Sequence, residues 1–214
     1  MIFYHLMFDM TMFGWLPYSV TERWPLFTLQ RFIALSFIFL SGVSAHFTRS
    51  NLRRGLITLA AGAVVAAASY VVDAPIRYGI LQFLGCAMIF WHFLGEYVRR
   101  VPDKIAPWLW GALYLVTRVV SYTTLVEPAW LYWLGLRPHG FVSFDWVPFF
   151  PNIFMFFLGT WFGKRVVAAP ADSRLRTMGA PGWLAWTGRR TLLIYLIHQP
   201  VLYGACWVAH RVLH

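Results

Sequence analysis

The sequence predicts an all-α protein, a polytopic membrane bundle of about seven transmembrane helices. Hydrophobic residues make up 59% of the 214 positions and charged residues only 12%, about half the charged share of an average soluble domain. The apolar residues are gathered into runs of about 20, the length that a helix needs to cross a bilayer. Basic residues cluster in alternate connections between these runs. Together these observations place the chain in lipid.

Seven apolar segments form the predicted spans, and proline, asparagine and aspartate residues interrupt the chain between them. The first segment covers about 24 Å as a helix, less than the ~30 Å hydrocarbon core, so either it is embedded short or the chain begins upstream. It has no preceding basic residues and no small-residue cleavage site, so we expect no cleavable signal peptide. The segments are 1–16, 28–47, 55–72, 77–98, 105–122, 148–163 and 189–209.

Two further segments are predicted to lie outside the spans. Segment 123–147 is rich in aromatic residues and interrupted by proline and glycine, a composition typical of the membrane interface. Its aromatic rings and Asp145 would also suit stacking and hydrogen bonding to a sugar. Segment 166–186 reads as a loop. No internal repeat is visible, and residues 1–214 are predicted to form a single domain.

The basic residues predict the orientation of the chain. With seven spans, twelve of the 18 lysines and arginines fall on one side, which the positive-inside rule makes cytoplasmic. The N-terminus is then cytoplasmic, and the protein resides in a plasma or inner membrane. The net charge of +10 does not predict a nucleic-acid partner, because the charges separate apolar runs. The twelve are Arg49, Arg53, Arg54, Arg99, Arg100, Lys104, Lys164, Arg165, Arg174, Arg176, Arg189 and Arg190.

Ionisable residues within spans are costly and often mark functional sites. His5 and Asp9 of the first span are four residues apart and share one helical face. A carboxylate near an imidazole can orient the ring as a base, so these two are candidate catalytic residues. The alternative is a polar pair satisfied by neighbouring helices. Arg31 of the second span is a candidate partner for Asp9.

Other polar residues in the spans are candidates for substrate binding. Arg31 and Arg118 lie near the outer ends of their spans, where they would bind an anionic group or snorkel to the interface. His198 and Gln199 precede Pro200, which kinks the last span; His198 is either a structural hydrogen-bonding group or a cavity residue. The predicted substrate-binding set is Arg31, Arg118, Asp145, His198 and Gln199.

Small residues indicate close helix packing rather than chemistry. Ser41-Gly42-x-Ser44 and the Gly- and Ala-rich third span would let backbones approach each other. Cys86 and Cys206 lie in apolar runs and read as packing residues, so we expect neither a disulfide nor a metal site.

Short motifs occur in a fixed order along nearly the whole chain, and their ordered set resembles the heparan-α-glucosaminide N-acetyltransferase-like membrane family. The motifs are Tyr4-His5-Leu6-Met7-Phe8-Asp9, Arg31-Phe32, Phe39-Leu40-Ser41-Gly42-Val43-Ser44, Arg77-Tyr78-Gly79-Ile80-Leu81, Phe144-Asp145-Trp146, Phe150-Pro151, Leu158-Gly159 and Tyr195-Leu196-Ile197-His198-Gln199-Pro200.

The resemblance implies acetyl transfer across a membrane, from cytosolic acetyl-CoA, the acyl-donor substrate, to a sugar hydroxyl or amine on the far side. His5 matches the family's histidine, which is thought to act as base or acetyl carrier, and Asp9 lies beside it. The implied partners are the lipid bilayer, acyl-CoA and a carbohydrate-type acceptor, with a homo-oligomer possible through the small-residue helix. Arginines suit the coenzyme's phosphates, although basic loops also set topology; the candidates are Arg53, Arg54, Arg189 and Arg190.

The alternative function is a non-enzymatic membrane carrier, or a partner subunit that retains the acyltransferase fold. The same intramembrane charges would then line a substrate or proton path. Many carriers are built from inverted repeats, and this sequence shows none, which favours the enzyme. Acetyl-CoA binding and turnover would distinguish the two functions.

Overall fold

The computed structural model describes residues 1–71, 73–174, 179 and 181–213, apart from the side chain of Glu22. The described chain is mainly helical. Its helices are α1 (Ile2–Met12), α2 (Ser19–Glu22), α3 (Leu26–Ser44), α4 (Asn51–Val71), α5 (Ile80–Arg99), α6 (Ala106–Thr123), α7 (Phe149–Ala168), α8 (Gly182–Arg189) and α9 (Thr191–Leu213). A 3₁₀ helix (Ala129–Trp133) and the short strands β1 (Leu125–Val126) and β2 (Arg137–Pro138) lie between α6 and α7.

Four helices within the described ranges are long and apolar enough to cross a membrane: α3, α4, α5 and α9. They coincide with the second, third, fourth and seventh predicted spans. The predicted fold class, a helical membrane bundle, is therefore confirmed. Helices α6 and α7 form where the fifth and sixth spans are predicted but do not belong to these four, so the number of spans stays a prediction.

Two predicted boundaries are wrong. Helix α1 has 11 residues, or about 16 Å, where the sequence predicts a span over 1–16; it ends before Gly14, whose φ of +75° is the left-handed conformation that commonly follows a helix end. The predicted loop 166–186 is partly helical, because α7 continues to Ala168 and α8 occupies Gly182–Arg189. Arg176 lies outside the described residues.

The chain divides into two compact units. Unit 1 comprises Met1–Ala34 and Met178–His214, and unit 2 comprises Leu35–Thr177. In unit 1, α1 packs along α9. The two helices run in the same direction, because the rings of His5 and His198 are in contact and, further along both helices, Phe13 contacts Tyr203.

In unit 2, glycines bring α4 and α5 into close contact. A Cβ atom on Gly55 would lie 2.9 Å from the carbonyl oxygen of Gly85 and 2.8 Å from Cγ1 of Ile89. A Cβ atom on Gly62 would lie 2.9 Å from the backbone nitrogen of Gln82. The close packing predicted for the third span is thus confirmed.

A second glycine contact joins α3 and α7 within unit 2. A Cβ atom on Gly42 would collide with the carbonyl oxygen of Phe156, and one on Gly159 would collide with that of Phe39. Only residues without a side chain allow this approach. The packing role predicted for Ser41-Gly42-x-Ser44 is therefore confirmed at Gly42.

In unit 2, the segments that connect the helices lie at two ends, and hydrogen bonds join them there. At one end, segment 123–148 meets segment 73–79: the Phe144 N–H donates to the Pro75 carbonyl at 3.1 Å, and the Val147 N–H donates to the Tyr78 carbonyl at 2.8 Å. At the other end, the Lys164 ammonium donates to the Asp103 carboxylate at 2.8 Å. Helices α4, α5, α6 and α7 therefore run alternately between the same two ends.

Candidate functional site

Polar side chains meet where α1 packs against α9 in unit 1, and they form three successive layers. The first is a pair of imidazoles: the rings of His5 and His198 lie with their centroids 5.0 Å apart and their planes at 63°. This edge-to-face contact brings together residues from opposite ends of the sequence. Both were candidates in the sequence, but nothing in the sequence pairs them.

The orientation of the His198 ring is set by its own helix. Its Nδ1 lies 2.7 Å from the Tyr195 carbonyl oxygen and 3.1 Å from that of Ile194. A carbonyl can only accept, so Nδ1 carries the hydrogen and a neutral ring has its lone pair on Nε2. That Nε2 atom is buried and has no hydrogen-bond partner among the described residues. An imidazole held in one tautomer, with its other nitrogen available, can act as a base.

The second layer joins a buried carboxylate to an amide. Asp9 has no exposed surface, and its Oδ1 accepts a hydrogen bond of 3.0 Å from Nε2 of Gln199. The other oxygens of this pair, Oδ2 of Asp9 and Oε1 of Gln199, have no hydrogen-bond partner within the described part of the chain. Buried polar atoms are nearly always paired, so these acceptors mark the layer as a candidate binding or reaction site.

The third layer is aromatic and contributes to the wall of an open groove. The Phe13 ring lies 5.3 Å from that of Tyr203 and 5.5 Å from that of His210. Beyond it, a cavity of about 610 Å³ is lined by Met12, Phe13, Gly14, Trp207, His210 and Arg211. This volume lies within the range of small-molecule sites, about 300–1,000 Å³.

On α9, the sequence analysis predicted Gln199 of the second layer but neither Tyr203 nor His210 of the third layer. A signal was present: Gln199, Tyr203, Cys206 and His210 follow each other at spacings of four, three and four residues, which places them on one face of a helix. On the α1 side, the predicted shared face of His5 and Asp9 is present, and each residue contacts a different residue of α9.

The other candidates in unit 1 are arginines. Arg189 ends α8, and the guanidinium of Arg190, before the start of α9, lies 4.4 Å from the centre of the Trp186 ring. Both side chains are exposed. The guanidinium of Arg31 lies 5.1 Å from the centre of the Phe27 ring. The predicted pairing of Arg31 with Asp9 stays a prediction.

In unit 2, two candidate arginines have structural contacts. Arg54 donates to the carbonyl oxygen of Ser44 at 3.5 Å and to its hydroxyl at 3.2 Å, which ties the start of α4 to the end of α3. Arg118 donates to the Tyr114 hydroxyl at 3.2 Å and lies 5.0 Å from the centre of the Tyr122 ring. Arg53 is exposed.

Asp145 holds the start of α5. Its Oδ2 accepts a hydrogen bond of 2.9 Å from the backbone N–H of Ile80, the first residue of that helix. Negative charge is favourable there because the free N–H groups at a helix start carry partial positive charge. Burial raises the pKa of the Asp145 carboxyl group, and the hydrogen bond from Ile80 partly opposes this. The contact gives Asp145 a structural role.

A second polar cluster, in unit 2, was not anticipated from the sequence. His46 lines a cavity of about 20 Å³ with Trp91, Arg99 and Lys164, which is room for about one water molecule. The cavity is too small for a coenzyme. No sequence pattern links these residues, because they come from segments that are far apart in the chain.

Within residues 1–71, 73–174 and 181–213, no three histidine, cysteine, aspartate or glutamate side chains are grouped so as to hold a metal ion.

The apolar helices define a helical membrane protein, and two imidazoles in contact beside a buried carboxylate are an arrangement typical of acid–base sites. The chain belongs to the family described as "Heparan-alpha-glucosaminide N-acetyltransferase, catalytic", which matches residues 1–200. This confirms the resemblance seen in the motifs and indicates membrane acetyltransferase activity. No curated protein matches the chain, and no solved structure matches it.

Proposed function

We propose that the protein transfers an acetyl or other acyl group from cytosolic acyl-CoA to a hydroxyl or amine of a carbohydrate-type acceptor on the outer side of the membrane. The observation that carries this proposal is the contact between His5 and His198 beside the buried Asp9–Gln199 pair. An imidazole can take the proton of an attacking O–H or N–H group near neutral pH, or can carry an acyl group. His5, with Asp9 four residues further along the same helical face, is therefore the first candidate for base or acyl carrier.

The donor side of the site is the end of the α1–α9 pair where α9 begins. Arg190 precedes His198 by eight residues, about 12 Å along a helix axis. Guanidinium groups bind phosphates well, and the pantetheine arm of CoA is long enough to bridge this distance. Arg189 and Arg190 are thus the first candidates for the coenzyme's phosphates, and the exposed Arg53 with Arg54 is the second pair.

The acceptor side is the groove at the other end of the pair. Trp207 and Phe13 offer aromatic faces for the apolar face of a sugar ring, and Arg211 offers a charged donor. Gln199 and His198 lie between this groove and the donor end. Arg31, Arg118 and Asp145 stay candidates for acceptor binding, although the contacts of Arg118 and Asp145 are accounted for by neighbouring structure.

The predicted topology supports this direction of transfer. With seven spans, the first and the last cross the membrane in the same sense, and α1 and α9 do run parallel. The alternating course of α4 to α7 between two common ends also supports seven spans. A cytoplasmic N-terminus in a plasma or inner membrane then places Arg189 and Arg190 on the coenzyme's side.

The test is acetyl transfer by the purified protein in nanodiscs, with radiolabelled acetyl-CoA and a panel of amino sugars and neutral sugars. We expect labelled product, and a loss of about 10²–10⁴-fold for His5→Ala, the usual contribution of acid–base catalysis. His139→Ala, on the exposed part of segment 123–148, is the control and should keep full activity. A wild-type protein that binds no acetyl-CoA, or transfers to no acceptor, would favour the carrier or partner-subunit function.

The donor site is tested by acetyl-CoA binding. Losing a charge-assisted hydrogen bond costs about 1.5–3 kcal/mol, so the double variant Arg189→Ala/Arg190→Ala should raise Kd at least about tenfold. Arg100→Ala, another exposed basic residue, is the control. If only Arg53→Ala/Arg54→Ala weakens binding, the second pair holds the phosphates.

A further inference from the structure

The geometry points to His198 as the general base of the transfer, with its Nε2 atom accepting the proton of the attacking acceptor group; this inference rests on the proposed function. It assigns to His198 a reactive role, where the sequence offered either a structural or a substrate-binding one.

The first observation is the fixed tautomer. The carbonyl oxygens of Tyr195 and Ile194 accept from Nδ1. Both are backbone atoms of α9 that can only accept, so Nδ1 must carry a hydrogen. Among neutral forms, the one with a proton on Nε2 would place two lone pairs against each other at 2.7 Å. The basic lone pair of His198 is therefore committed to Nε2.

The second observation is where that lone pair lies. His198 is only 8% exposed, and its Nε2 is buried without a hydrogen-bond partner among the residues described. A histidine that serves packing alone usually has both nitrogens satisfied when it is buried. A structural role accounts for the hydrogen bonds of Nδ1 but not for the burial of Nε2 without a partner. A bound acceptor would supply the missing donor.

The third observation is the set of groups around the ring. His5 of α1 packs edge-to-face on it, and Tyr195 of its own helix lies 5.5 Å away between ring centroids. Asp9, the charged group nearby on α1, is bound to Gln199, the next residue along α9. The imidazolium formed by proton uptake thus has a second imidazole in contact, and a carboxylate in the adjacent layer stabilises its charge.

The chemical step balances with the two substrates alone. The acceptor O–H or N–H gives its proton to Nε2 of His198 while its oxygen or nitrogen bonds to the thioester carbonyl carbon. The C–S bond then breaks, and the CoA thiolate leaves with the electron pair. The imidazolium returns the proton to that thiolate, directly or through the His5 ring, and the thiol departs as CoA. His198 is neutral again at the end.

The first arm of the test measures the tautomer of the full-length protein, labelled with ¹⁵N-histidine in nanodiscs. The expected result is a protonated Nδ1 and an unprotonated Nε2 for His198, assigned by comparison with His198→Asn. A protonated Nε2 in the neutral ring would overturn the inference, because that atom could not then accept a proton. This readout does not depend on turnover.

The second arm compares matched variants with the wild type. His198→Asn keeps an N–H group near the position of Nδ1, so the structural hydrogen bond survives while the base is lost. We expect kcat to fall about 10²–10⁴-fold, acetyl-CoA Kd to stay within about twofold, and added imidazole to restore part of the rate. His198→Gln serves as a second variant if the asparagine variant is unstable.

The outcomes separate the two proposals. An active wild type whose stable His198 variants retain more than about a tenth of its rate would overturn the base role alone, and would leave the proposed function with His5. A wild type that transfers no acyl group to any acceptor would overturn the proposed function and the base role with it. A loss of rate that imidazole does not relieve, together with weakened acetyl-CoA binding, would show a structural role for His198 and contradict the base.

Discussion

At the scale of single residues, the α1–α9 contact is a set of buried polar atoms whose partners come from the two ends of the chain. Asp9 and Gln199 are 190 positions apart and share one hydrogen bond of 3.0 Å. Removing one member of such a pair leaves the other buried without a partner, which costs more than the bond itself contributes. The polar layer is therefore a stability determinant as well as a candidate site.

This asymmetry predicts the behaviour of Gln199→Leu. The change leaves the Asp9 carboxyl group buried without its donor, and we expect the protein to lose about 1–3 kcal/mol, seen as a lower Tm in detergent. Asp9→Leu/Gln199→Leu removes both polar groups and should recover part of the loss. A double variant that is less stable than either single variant would contradict this account.

A second prediction at this scale concerns pH. Burial raises the pKa of the Asp145 carboxyl group, so the native protein binds the carboxyl proton more tightly than the unfolded chain does. The stability that this proton contributes therefore falls as the pH rises from the ordinary aspartate pKa of about 3.9 towards the raised pKa of the native protein. Asp145→Asn keeps an acceptor for the Ile80 N–H and removes the titration. Its Tm should therefore fall less than that of the wild type over this pH window.

The control for that measurement is Glu127→Gln, an exposed carboxylate in the same segment. It should show the wild-type dependence of Tm on pH. Equal slopes for the Asp145→Asn variant and the wild type would show that Asp145 does not titrate in this window.

At the scale of elements, glycines decide how closely the helices of unit 2 approach. The backbones of α3 and α7 meet at Gly42 and Gly159, where a Cβ atom would strike the carbonyl oxygens of Phe156 and Phe39. A carbonyl oxygen cannot move away without moving its helix, so the strain of a larger residue is not relieved locally. Small residues at such contacts are common in membrane bundles.

Gly159→Ala is therefore expected to separate α3 from α7 and to destabilise the protein by about 1–3 kcal/mol, the usual cost of overpacking. Gly111→Ala is the matched control: nothing lies within 4 Å of a Cβ atom at that position in α6, and alanine is the better helix former by up to about 1 kcal/mol. The Tm should fall for the first variant and be unchanged or higher for the second. Equal losses would contradict the packing account.

At the scale of the whole molecule, charge and hydropathy set the relation of the chain to the membrane. The basic connections at 49–54, 99–104 and 164–174 alternate with connections that carry fewer basic residues. The described helices agree with this alternation in unit 2, where the hydrogen bonds place segments 73–79 and 123–148 together. Whether α6 and α7 cross the bilayer decides whether two spans are added to the four helices α3, α4, α5 and α9.

Cysteine labelling in intact cells distinguishes these topologies. In a background with Cys86→Ala and Cys206→Ala, we expect Glu127→Cys to react with a membrane-impermeant maleimide from outside. Lys104→Cys and Asp172→Cys should react only after the cells are opened. If α6 and α7 do not cross, all three positions lie on one side and react together.

Much of the fold could be predicted from the sequence, because helix formation in lipid depends on local composition. Helices α3 to α7 and α9 lie where apolar runs of suitable length predict them. The two wrong predictions also concern local structure. Helix α1 ends before Gly14, and α8 begins within the predicted loop 166–186. Of the candidate site, His5, Asp9, His198 and Gln199 were found because polar residues stand out within apolar helices.

The lipid environment, the helical class and the family were determined by the sequence alone, since each depends on the kinds of residues present and their order along the chain. Only the tertiary structure decided which polar groups are partners. Periodicity shows which residues share a face of one helix, but contacts between helices far apart in the chain follow from packing. Packing of this kind also places Asp145 at the start of α5 and leaves Nε2 of His198 buried without a hydrogen-bond partner among the described residues.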